Sequence, residues 1–360
     1  MRLGGIGVGQ AGGKILDLLA YHDTYGQHHN ILPFAIAVNS ARSDLMGLKI
    51  IPKNNQILVG QTEVRGHGVG LRREIGAKVI EQQLHLIMRS VAEKGLYRVD
   101  AFLVIAGLGG GTGSGGVPLV VEQLKSVYDQ PVFALGVIPS SEEGKLMTDN
   151  ARQAIKELHK VADGILLFDN EVWKKEGIPI QECYKTMNYE LIKPIPYLMG
   201  AGEVSGNKVG IKVVDASDIM ATWKDIAYIG YSELKAKTLK KQLNFFKRRT
   251  SIDELDPVLA TLTVVKNAAG MRLSGICGRN QATKALMLIA GPSGQLNMEG
   301  FSQAKSWLQN YIGESGEIRG GDYPLENVNE LSGIVMLAGI TEIPRIGLSL
   351  SHAASSKKAT

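Results

Sequence analysis

Seven of the ten residues from position 107 to position 116 are glycine, in the run Gly107-Leu108-Gly109-Gly110-Gly111-Thr112-Gly113-Ser114-Gly115-Gly116. A strongly apolar, strand-like segment precedes this run at Ala101–Ala106, and a helical pattern that Pro118 helps to start follows it. Glycines between a strand and a helix let the backbone approach a phosphate group and aim the amides of the helix N-terminus at it. The run therefore predicts a phosphate-binding loop in an α/β fold, with a flexible turn that binds nothing as the alternative.

A second glycine loop follows the apolar segment Arg2–Val8, in the run Gly7-Val8-Gly9-Gln10-Ala11-Gly12-Gly13-Lys14. Its GxGxxG spacing also describes the dinucleotide turn of nicotinamide-dependent oxidoreductases, which need an acid at the end of the second strand. That strand ends here in Val38-Asn39-Ser40, so the oxidoreductase is the weakest alternative. Neither loop has the Lys-Ser or Lys-Thr pair of a Walker A motif. Two phosphate loops at one sheet edge indicate a nucleoside triphosphate.

A third loop, Gly66-His67-Gly68-Val69-Gly70, lies just before a helical segment. Gly68 at its centre could close over a terminal phosphate. A plain turn explains the same spacing equally well.

The first half of the chain alternates short apolar segments with longer amphipathic ones, which is typical of a parallel sheet covered by helices. The predicted strands there are Arg2–Val8, Leu32–Val38, Ala101–Ala106, Val132–Ile138 and Gly164–Phe168, and the predicted helices include Leu71–Val91, Pro118–Tyr128 and Asn150–Ala162. In the second half, helices are predicted at Ile180–Tyr189, Ala216–Tyr228 and Ala304–Tyr311, and strands at Leu259–Lys266, Ala285–Ala290, Glu317–Gly320 and Gly333–Gly339. The turn-rich segment Pro194–Gly210 is predicted to be a hinge between a parallel-sheet domain and an α+β domain with a mixed sheet.

Length and composition (360 residues, 44% apolar and 21% charged) are those of a globular protein with a sizeable core. Two cysteines without a CxxC pair indicate neither a disulfide framework nor a zinc site. Because neither a signal-peptide pattern nor an apolar run of transmembrane length occurs, we expect a cytoplasmic protein. The stretch Lys235–Arg249 contains seven basic residues and no acid. It predicts a solvated helix face, or contact with an anionic surface or a lateral filament neighbour, and no nucleic-acid partner is expected.

The glycine loops belong to a series of motifs that resembles the tubulin/FtsZ superfamily. The GGGTGSG run at residues 109–115 matches its signature, and GQAGG at 9–13 and the strand end Asn39-Ser40 precede it in the same order and spacing. The stretches ALGVIPSSEEG (134–144), LLFDN (166–170) and VVDASDI (213–219) look most like the archaeal CetZ branch. The resemblance implies a Rossmann-like parallel-sheet GTPase domain (1–176), a core helix and hinge (177–208), an α+β domain with a mixed sheet (209–350) and a flexible tail (351–360).

The resemblance also implies GTP or GDP, with Mg²⁺, as the ligand. The phosphate-site residues that it implies are Gly9, Gln10, Ala11, Gly12, Gly13, Lys14, Asn39, Gly109, Gly110, Gly111, Thr112 and Gly113. It assigns Glu143 to the ribose and Asn170 to the guanine edge, where the sequence alone favours a surface acid and a turn-forming asparagine. Tyr184 and Asn188 are four residues apart on one helix face, which suits a ring that stacks on the base and an amide that pairs with it. A core aromatic residue is the alternative.

The candidate catalytic residues are Asp215 and Asp218, at positions i and i+3 of a predicted helix start. Two carboxylates on one face could position an attacking water, whereas a helix cap is the structural alternative. In the family, this loop projects into the nucleotide site of the next subunit. Hydrolysis would then depend on head-to-tail assembly of the chain with itself, and the implied role in the CetZ branch is control of cell shape. A GTP-binding filament protein that does not hydrolyse GTP is the second alternative.

Three positions depart from the pattern of FtsZ. Val213 replaces an asparagine of the catalytic loop, and Met147 replaces an arginine near the ribose residue. Ala41 stands where FtsZ and tubulin have an acid after the second strand, which removes a possible metal contact. These differences leave the rate of hydrolysis open.

Overall fold

The computed structural model describes residues 1–26, 30–95, 99–201, 212–235 and 256–350. Most of the predicted basic stretch (236–249), most of the predicted hinge (202–210) and the predicted tail (351–360) lie outside these ranges. The strands are β1 (Leu3–Val8), β2 (Phe34–Asn39), β3 (Gln56–Leu58), β4 (Ala101–Gly107), β5 (Val132–Ile138), β6 (Gly164–Asp169), β7 (Asp225–Lys235), β8 (Lys284–Gly291), β9 (Glu317–Pro324), β10 (Glu330–Ile340), β11 (Glu342–Ile343) and β12 (Leu348–Ser349). The α-helices are α1 (Gly9–Tyr25), α2 (Arg42–Met46), α3 (Gln61–Val64), α4 (Arg73–Glu81), α5 (Leu84–Ala92), α6 (Gly111–Val127), α7 (Lys145–Val161), α8 (Asn170–Trp173), α9 (Ile180–Ile192), α10 (Pro194–Gly200), α11 (Ala216–Thr222), α12 (Pro257–Ala269) and α13 (Met298–Ile312). None of these helices is long and apolar enough to cross a membrane.

Within the described ranges, ten strands form one sheet in the order β3-β2-β1-β4-β5-β6-β7-β10-β8-β9. From β3 to β7, every neighbouring pair is parallel. β1 and β5 are buried along their whole length, because helices cover both faces of this part of the sheet, and this explains their uninterrupted apolar sequences. We call the side at which β1, β2, β4, β5 and β6 end the carboxyl edge, and the opposite side the amino edge. Ligands of open parallel sheets bind at the carboxyl edge.

Helices α1 and α6 approach the sheet closely because glycine occupies the positions where a side chain would collide. A Cβ atom added to Gly12 would lie 2.1 Å from the carbonyl oxygen of Ile105 in β4. The same close approach joins α4 to α6, since a Cβ on Gly76 would lie 2.1 Å from the carbonyl oxygen of Gly111. Part of the glycine excess at the predicted loops therefore serves to pack helix N-termini against the sheet.

The second half of the chain continues the same sheet. β7 pairs in parallel with β6 over three residue pairs, from Gly164 and Asp225 to Leu166 and Ala227. β10 is antiparallel to both β7 and β8, while β9 is parallel to β8, so the predicted mixed sheet is confirmed. Helix α12 packs on β7 and β10, and α13 packs on α12.

Two sequence predictions for this half are wrong. Leu259–Lys266, predicted as a strand, lies in α12. Asp256 caps the amide of Val258, and Pro257 starts the helix, so these local signals and burial against the sheet outweigh the β-branched composition. The predicted helix Ala216–Tyr228 ends at Thr222, because Asp225 has φ of +57° and begins β7.

Three further predictions, two of helices and one of the hinge, need correction. The segment 71–91 contains two helices, α4 and α5, and at the break the side chain of Gln83 accepts a hydrogen bond from the amide of Gly60 at 3.0 Å. Pro118 does not start α6 but lies inside it, because the helix begins at Gly111 within the glycine run. The first part of the predicted hinge is helical as α10, for which Pro194 is the first residue.

Candidate functional site

The two main glycine loops meet at the carboxyl edge. Gly9, the first residue of α1, has φ of +75°, and a Cβ there would lie 3.0 Å from the backbone nitrogen of Gly113. The N-terminal turns of α1 and α6 are therefore in backbone contact, and the predicted residues Gly9–Gly13 and Gly109–Gly113 come together as expected. The first amides of a helix have no partner within it and carry its positive dipole end, so this pair of helix starts favours an anion.

The third loop lies at the same place. The amide of Gly68 donates to the carbonyl of Ser40 at 3.2 Å, and the amide of Gly111 donates to the carbonyl of Gly70 at 3.0 Å. The hydroxyls of Ser40 and Thr112 are 2.7 Å apart. By contrast, a Cβ on Gly110 would meet nothing within 4 Å. The three loops therefore surround an open space at Gly110.

Asp44, in the first turn of α2, was not predicted from the sequence as a site residue. Its two carboxylate oxygens accept hydrogen bonds from the amide groups of Gln10 and Asn39, each at 3.0 Å. Asp44 therefore joins the start of α1 to the end of β2 and restores a carboxylate near the position where Ala41 lacks one. The sequence signal for this residue was an acid in the first turn of a helix that starts three residues after Asn39. Lys14 lies one turn beyond Gln10 on α1, with its side chain exposed.

Three of the residues predicted for the ribose and base lie together beside the phosphate loops. The Asn170 amide is 3.4 Å from Glu143 Oε1, and this carboxylate also accepts a hydrogen bond from the Ser140 amide at 2.8 Å. Burial, followed by the nearby Glu143 carboxylate, raises the pKa of the Tyr184 hydroxyl. Asn188 is half-buried one turn further along α9. Glu143 thus joins the loop after β5 to the loop after β6 and to the helix that carries Tyr184.

Asp215 and Asp218 do not lie with these residues. They form a reciprocal cap at the start of α11, in which Asp215 Oδ1 accepts the Asp218 amide at 2.9 Å. That amide, followed by the hydroxyl of Ser217, lowers the pKa of Asp215. Arg319 Nε lies 3.2 Å from Asp218 Oδ1 and supports it from β9. The helix cap, the structural alternative for these two residues, is therefore present, and it leaves Asp215 exposed and Asp218 partly exposed.

The strand register places α11 at the amino edge. Trp223, which follows this helix, packs against Gly164 at the start of β6, whereas Asn170 follows the end of the same strand. Six residues of a parallel strand span roughly 20 Å, so Trp223, beside the start of β6, lies roughly that far from Asn170 within one chain. The candidate carboxylates therefore lie towards the opposite edge of the sheet from the glycine loops.

The other two departures, Met147 and Val213, lie at different edges of the sheet. Met147 packs against Gly109, where a Cβ would lie 2.7 Å from its terminal methyl group, so an apolar side chain supports the main loop at this point. Val213 is 40% exposed beside Asp215 at the amino edge. It therefore adds an apolar group to the surface that carries the carboxylates.

The carboxyl edge can bind a polyanion through backbone amides and can bind an attached ring system through Tyr184, Asn170 and Glu143. The amino edge can orient a water molecule or accept a proton. The predicted nucleotide contacts and the predicted catalytic pair thus lie at different edges.

Known proteins resemble this chain in sequence and in fold. The family model described as the tubulin/FtsZ family GTPase domain matches residues 3–176, and that of the tubulin-like CetZ C-terminal domain matches residues 177–355. Tubulin-like protein CetZ1 of Haloferax volcanii is 39% identical over 357 residues, covering 96% of this chain and 90% of the relative. The GDP-bound CetZ1 monomer of Haloferax volcanii superposes with a TM-score of 0.84 at 35% identity, covering 96% of each chain. A GTPgS-bound protofilament of CetZ2 from the same organism gives a TM-score of 0.83 at 32% identity, covering 96% of this chain and 95% of that one.

Proposed function

The chain belongs to the tubulin/FtsZ family, in its CetZ branch, and from that premise we propose that it is a GTPase whose active site is completed by a second copy of itself. Subunits stack head to tail, with the carboxyl edge of one against the amino edge of the next. The observation that carries the proposal is the distance between the phosphate loops and the carboxylates of Asp215 and Asp218 within one chain. Stacking in one direction brings opposite edges together, so each contact holds one complete site.

The ligand at the carboxyl edge is GTP or GDP, as in the CetZ1 monomer and the CetZ2 protofilament, which hold GDP and GTPgS respectively. The phosphates lie in the space beside Gly110, where the first amides of α1 and the amides of α6 that follow Gly111 supply donors. Glu143 accepts the ribose hydroxyls. The Tyr184 ring stacks on the guanine, and Asn170 and Asn188 pair with its edge.

Mg²⁺ is part of the same proposal. The described residues contain no cluster of three or more His, Cys, Asp or Glu side chains that could hold a metal without help. Mg²⁺ commonly keeps several waters and binds through one or two carboxylates together with substrate phosphates, and Asp44 beside the phosphate loops fits that pattern. When bound, the ion neutralises charge on the terminal phosphates.

Asp215 and Asp218 act on the GTP of the neighbouring subunit. The reciprocal cap fixes both carboxylates on α11, and the contact from Arg319 restricts Asp218 further. A carboxylate held in this way can orient the attacking water and accept its proton. Phosphoryl transfer to water depends mainly on positioning and on charge neutralisation, so a rigid carboxylate delivered by assembly is sufficient to complete the site.

A mixing experiment tests the shared site directly. Gly110→Asp places a negative charge in the phosphate space, and the fold has room for it because Gly110 has ordinary extended angles and no neighbour within 4 Å. Asp218→Ala keeps the phosphate loops and loses the carboxylate. Each variant alone should hydrolyse little GTP, whereas their mixture should recover turnover, because the first supplies Asp218 and the second supplies bound GTP.

Phosphate release from the mixture distinguishes the mechanisms. Recovery of activity supports a site formed between subunits, whereas a mixture as inactive as its components contradicts it. If wild-type protein forms GTP-dependent filaments without releasing phosphate, the protein is a non-hydrolysing filament protein. If it retains nicotinamide nucleotide and no guanine nucleotide after purification, it is an oxidoreductase.

For the cell, the proposal extends to a cytoplasmic filament that controls cell shape, which is supported by the family alone. The division into residues 1–176, 177–208 and 209–350 is also a proposal, supported by two family matches that meet after residue 176. Replacing the chromosomal gene with the Asp218→Ala form should change the cell outline in light microscopy. An unchanged outline would remove the role in shape while leaving the enzymology intact.

A further inference from the structure

A buried ion pair lies directly beneath the ribose and base residues. Arg345, in the short 3-10 turn between β11 and β12, pairs through Nε with the carboxylate of Asp169. Its Nη2 donates to the carbonyl of Pro139 at 2.8 Å. The side chains of Arg345 and Asp169 are only 16% and 3% exposed. The guanidinium of Arg345, near the end of the described chain, therefore contacts Asp169 and Pro139, which lie 176 and 206 residues earlier in the sequence.

Both contact points are the bases of loops that carry candidate nucleoside contacts. Pro139 begins the loop that leads to Glu143, and Asp169 caps α8, whose first residue is Asn170. Above the guanidinium, side chains join the two loops: Ser141 donates to Glu171 at 2.7 and 2.8 Å at the surface, and Asn170 contacts Glu143 in a part-buried position. Below it, the β5–β6 pairing ends at Ile138 and Asp169, so Arg345 joins the two strand ends where the backbone ladder stops.

We propose that Arg345 is a positioning residue for the nucleoside half of the site, setting the spacing between Glu143 and Asn170. The inference rests on the proposed function, because it assigns the ribose and the base to these residues. A guanidinium with two fixed donor directions defines the distance between the strand ends that it joins. Without it, the buried carboxylate of Asp169 has lost its charged partner, and the loop after β6 must move to bring it towards water.

A simpler role would be to fasten the β11–β12 segment to the first half of the chain. Arg152 already provides such a link, since its Nε donates to the carbonyl of Ile346 at 2.8 Å while its Nη1 pairs with Asp149. Arg152 lies on α7 and contacts neither Pro139 nor Asp169 through these bonds. It is therefore a matched control, because its removal loosens the same segment without touching the bases of the two loops.

The test compares nucleotide binding by Arg345→Met, Arg345→Lys and Arg152→Met, using fluorescent analogues of GTP and GDP with ATP as competitor. Arg345→Met should weaken GTP and GDP binding by the same factor, about 10- to 100-fold, because displaced Glu143 and Asn170 lose hydrogen bonds to the nucleoside that each contribute roughly 2- to 10-fold in affinity. It should also reduce the preference for GTP over ATP, which a loss of stability alone would not change. Arg345→Lys should be intermediate, and Arg152→Met should bind like the wild type.

The outcomes separate this inference from the proposed function. If the wild type binds GTP and Arg345→Met binds it equally well, the inference is wrong and the GTPase proposal stands. If Arg345→Met shows an unchanged dissociation constant with fewer binding sites, Arg345 serves folding only, which also overturns the inference. If the wild type itself binds no guanine nucleotide, the proposed function has failed. A double variant, Asp169→Leu with Arg345→Met, removes both charges and should fold while keeping the weakened, less selective binding.

Discussion

The carboxyl and amino edges of the sheet are built on different physical principles. The carboxyl edge is made largely of backbone: two helix starts in contact at Gly9 and Gly113, with side chains such as Asp44 and Arg345 behind them. The amino edge offers two solvent-accessible carboxylates, each of which accepts a hydrogen bond from the backbone amide of the other residue in a helix cap. Binding at the carboxyl edge is therefore sensitive to added side-chain volume and charge. Function at the amino edge is sensitive to the loss of a single carboxylate and tolerates other substitutions.

The largest predicted effect is the loss of turnover caused by removing a carboxylate at the amino edge. Asp218→Ala should lower turnover of assembled protein by about 10²- to 10⁴-fold, the usual contribution of a general base, while GTP affinity stays unchanged. Phosphate release and fluorescent-nucleotide titration measure the two quantities on the same sample. Glu317→Gln is the control, because Glu317 pairs with Nη2 of Arg319 whereas Asp218 pairs with Nε of the same side chain. If Asp218→Ala hydrolyses GTP at the normal rate, the amino edge is only a helix cap.

The complementary change at the carboxyl edge is Gly110→Asp. We expect GTP affinity to fall roughly 100- to 1,000-fold, because placing like charges together costs several kcal/mol. Aspartate is also a good N-cap, so the melting temperature should not fall. Gly110→Asn has the same size and capping ability without the charge, and it should bind GTP better than Gly110→Asp. Equal affinities of the two variants would mean that volume, not charge, decides binding here.

A pH experiment compares the buried carboxylate of Asp169 with the exposed carboxylate of Asp215. Burial raises the pKa of Asp169, and the Arg345 guanidinium partly opposes that rise. A carboxyl whose folded-state pKa is raised costs stability once ionised, and the cost disappears as the pH falls through that pKa. Arg345→Met should therefore lose about 3 kcal/mol of unfolding free energy near pH 8 and much less near pH 5, as urea denaturation would measure.

The Asp169→Leu, Arg345→Met double variant has no carboxyl to protonate, so its deficit relative to the wild type should lack this recovery at low pH. Asp215→Asn, at the exposed amino edge, should change stability little at either pH. A deficit of Arg345→Met that is constant from about pH 8 to about pH 5 would mean that Asp169 is not the group left without a partner.

The smallest predicted effect concerns Asp44. Asp44→Ala removes one acceptor from each of the Gln10 and Asn39 amides, and two such hydrogen bonds at about 1 kcal/mol or less suggest a loss in GTP affinity of about tenfold. Isothermal titration with and without Mg²⁺ measures it. If Asp44 also contacts the ion, the loss should be larger with Mg²⁺ present. Asp17, whose carboxylate binds backbone amides at 49–51 away from the phosphate loops, provides the control Asp17→Ala.

The parts of the fold that depend on interactions between neighbouring residues in the sequence were predicted correctly. A glycine run between an apolar strand and a helix fixes a strand-loop-helix unit over a few residues, which is why both phosphate loops lie at the predicted edge. The strand prediction for Leu259–Lys266 failed because composition was weighed above the helix start at Asp256-Pro257. Asp44 and Arg345 were not identified because their partners are set by tertiary packing, and in the case of Arg345 they are 176 and 206 residues away.

The one sheet that spans both halves also has a mechanical consequence. Its parallel strands run from the amino edge to the carboxyl edge, the direction in which the proposed subunits stack. Tension on such a stack slides neighbouring strands past each other, so all the hydrogen bonds of a strand pair share the force instead of opening in turn. β4 and β5 share six residue pairs, but β6 and β7 share three. A filament under tension should therefore yield first where the two halves of the chain join.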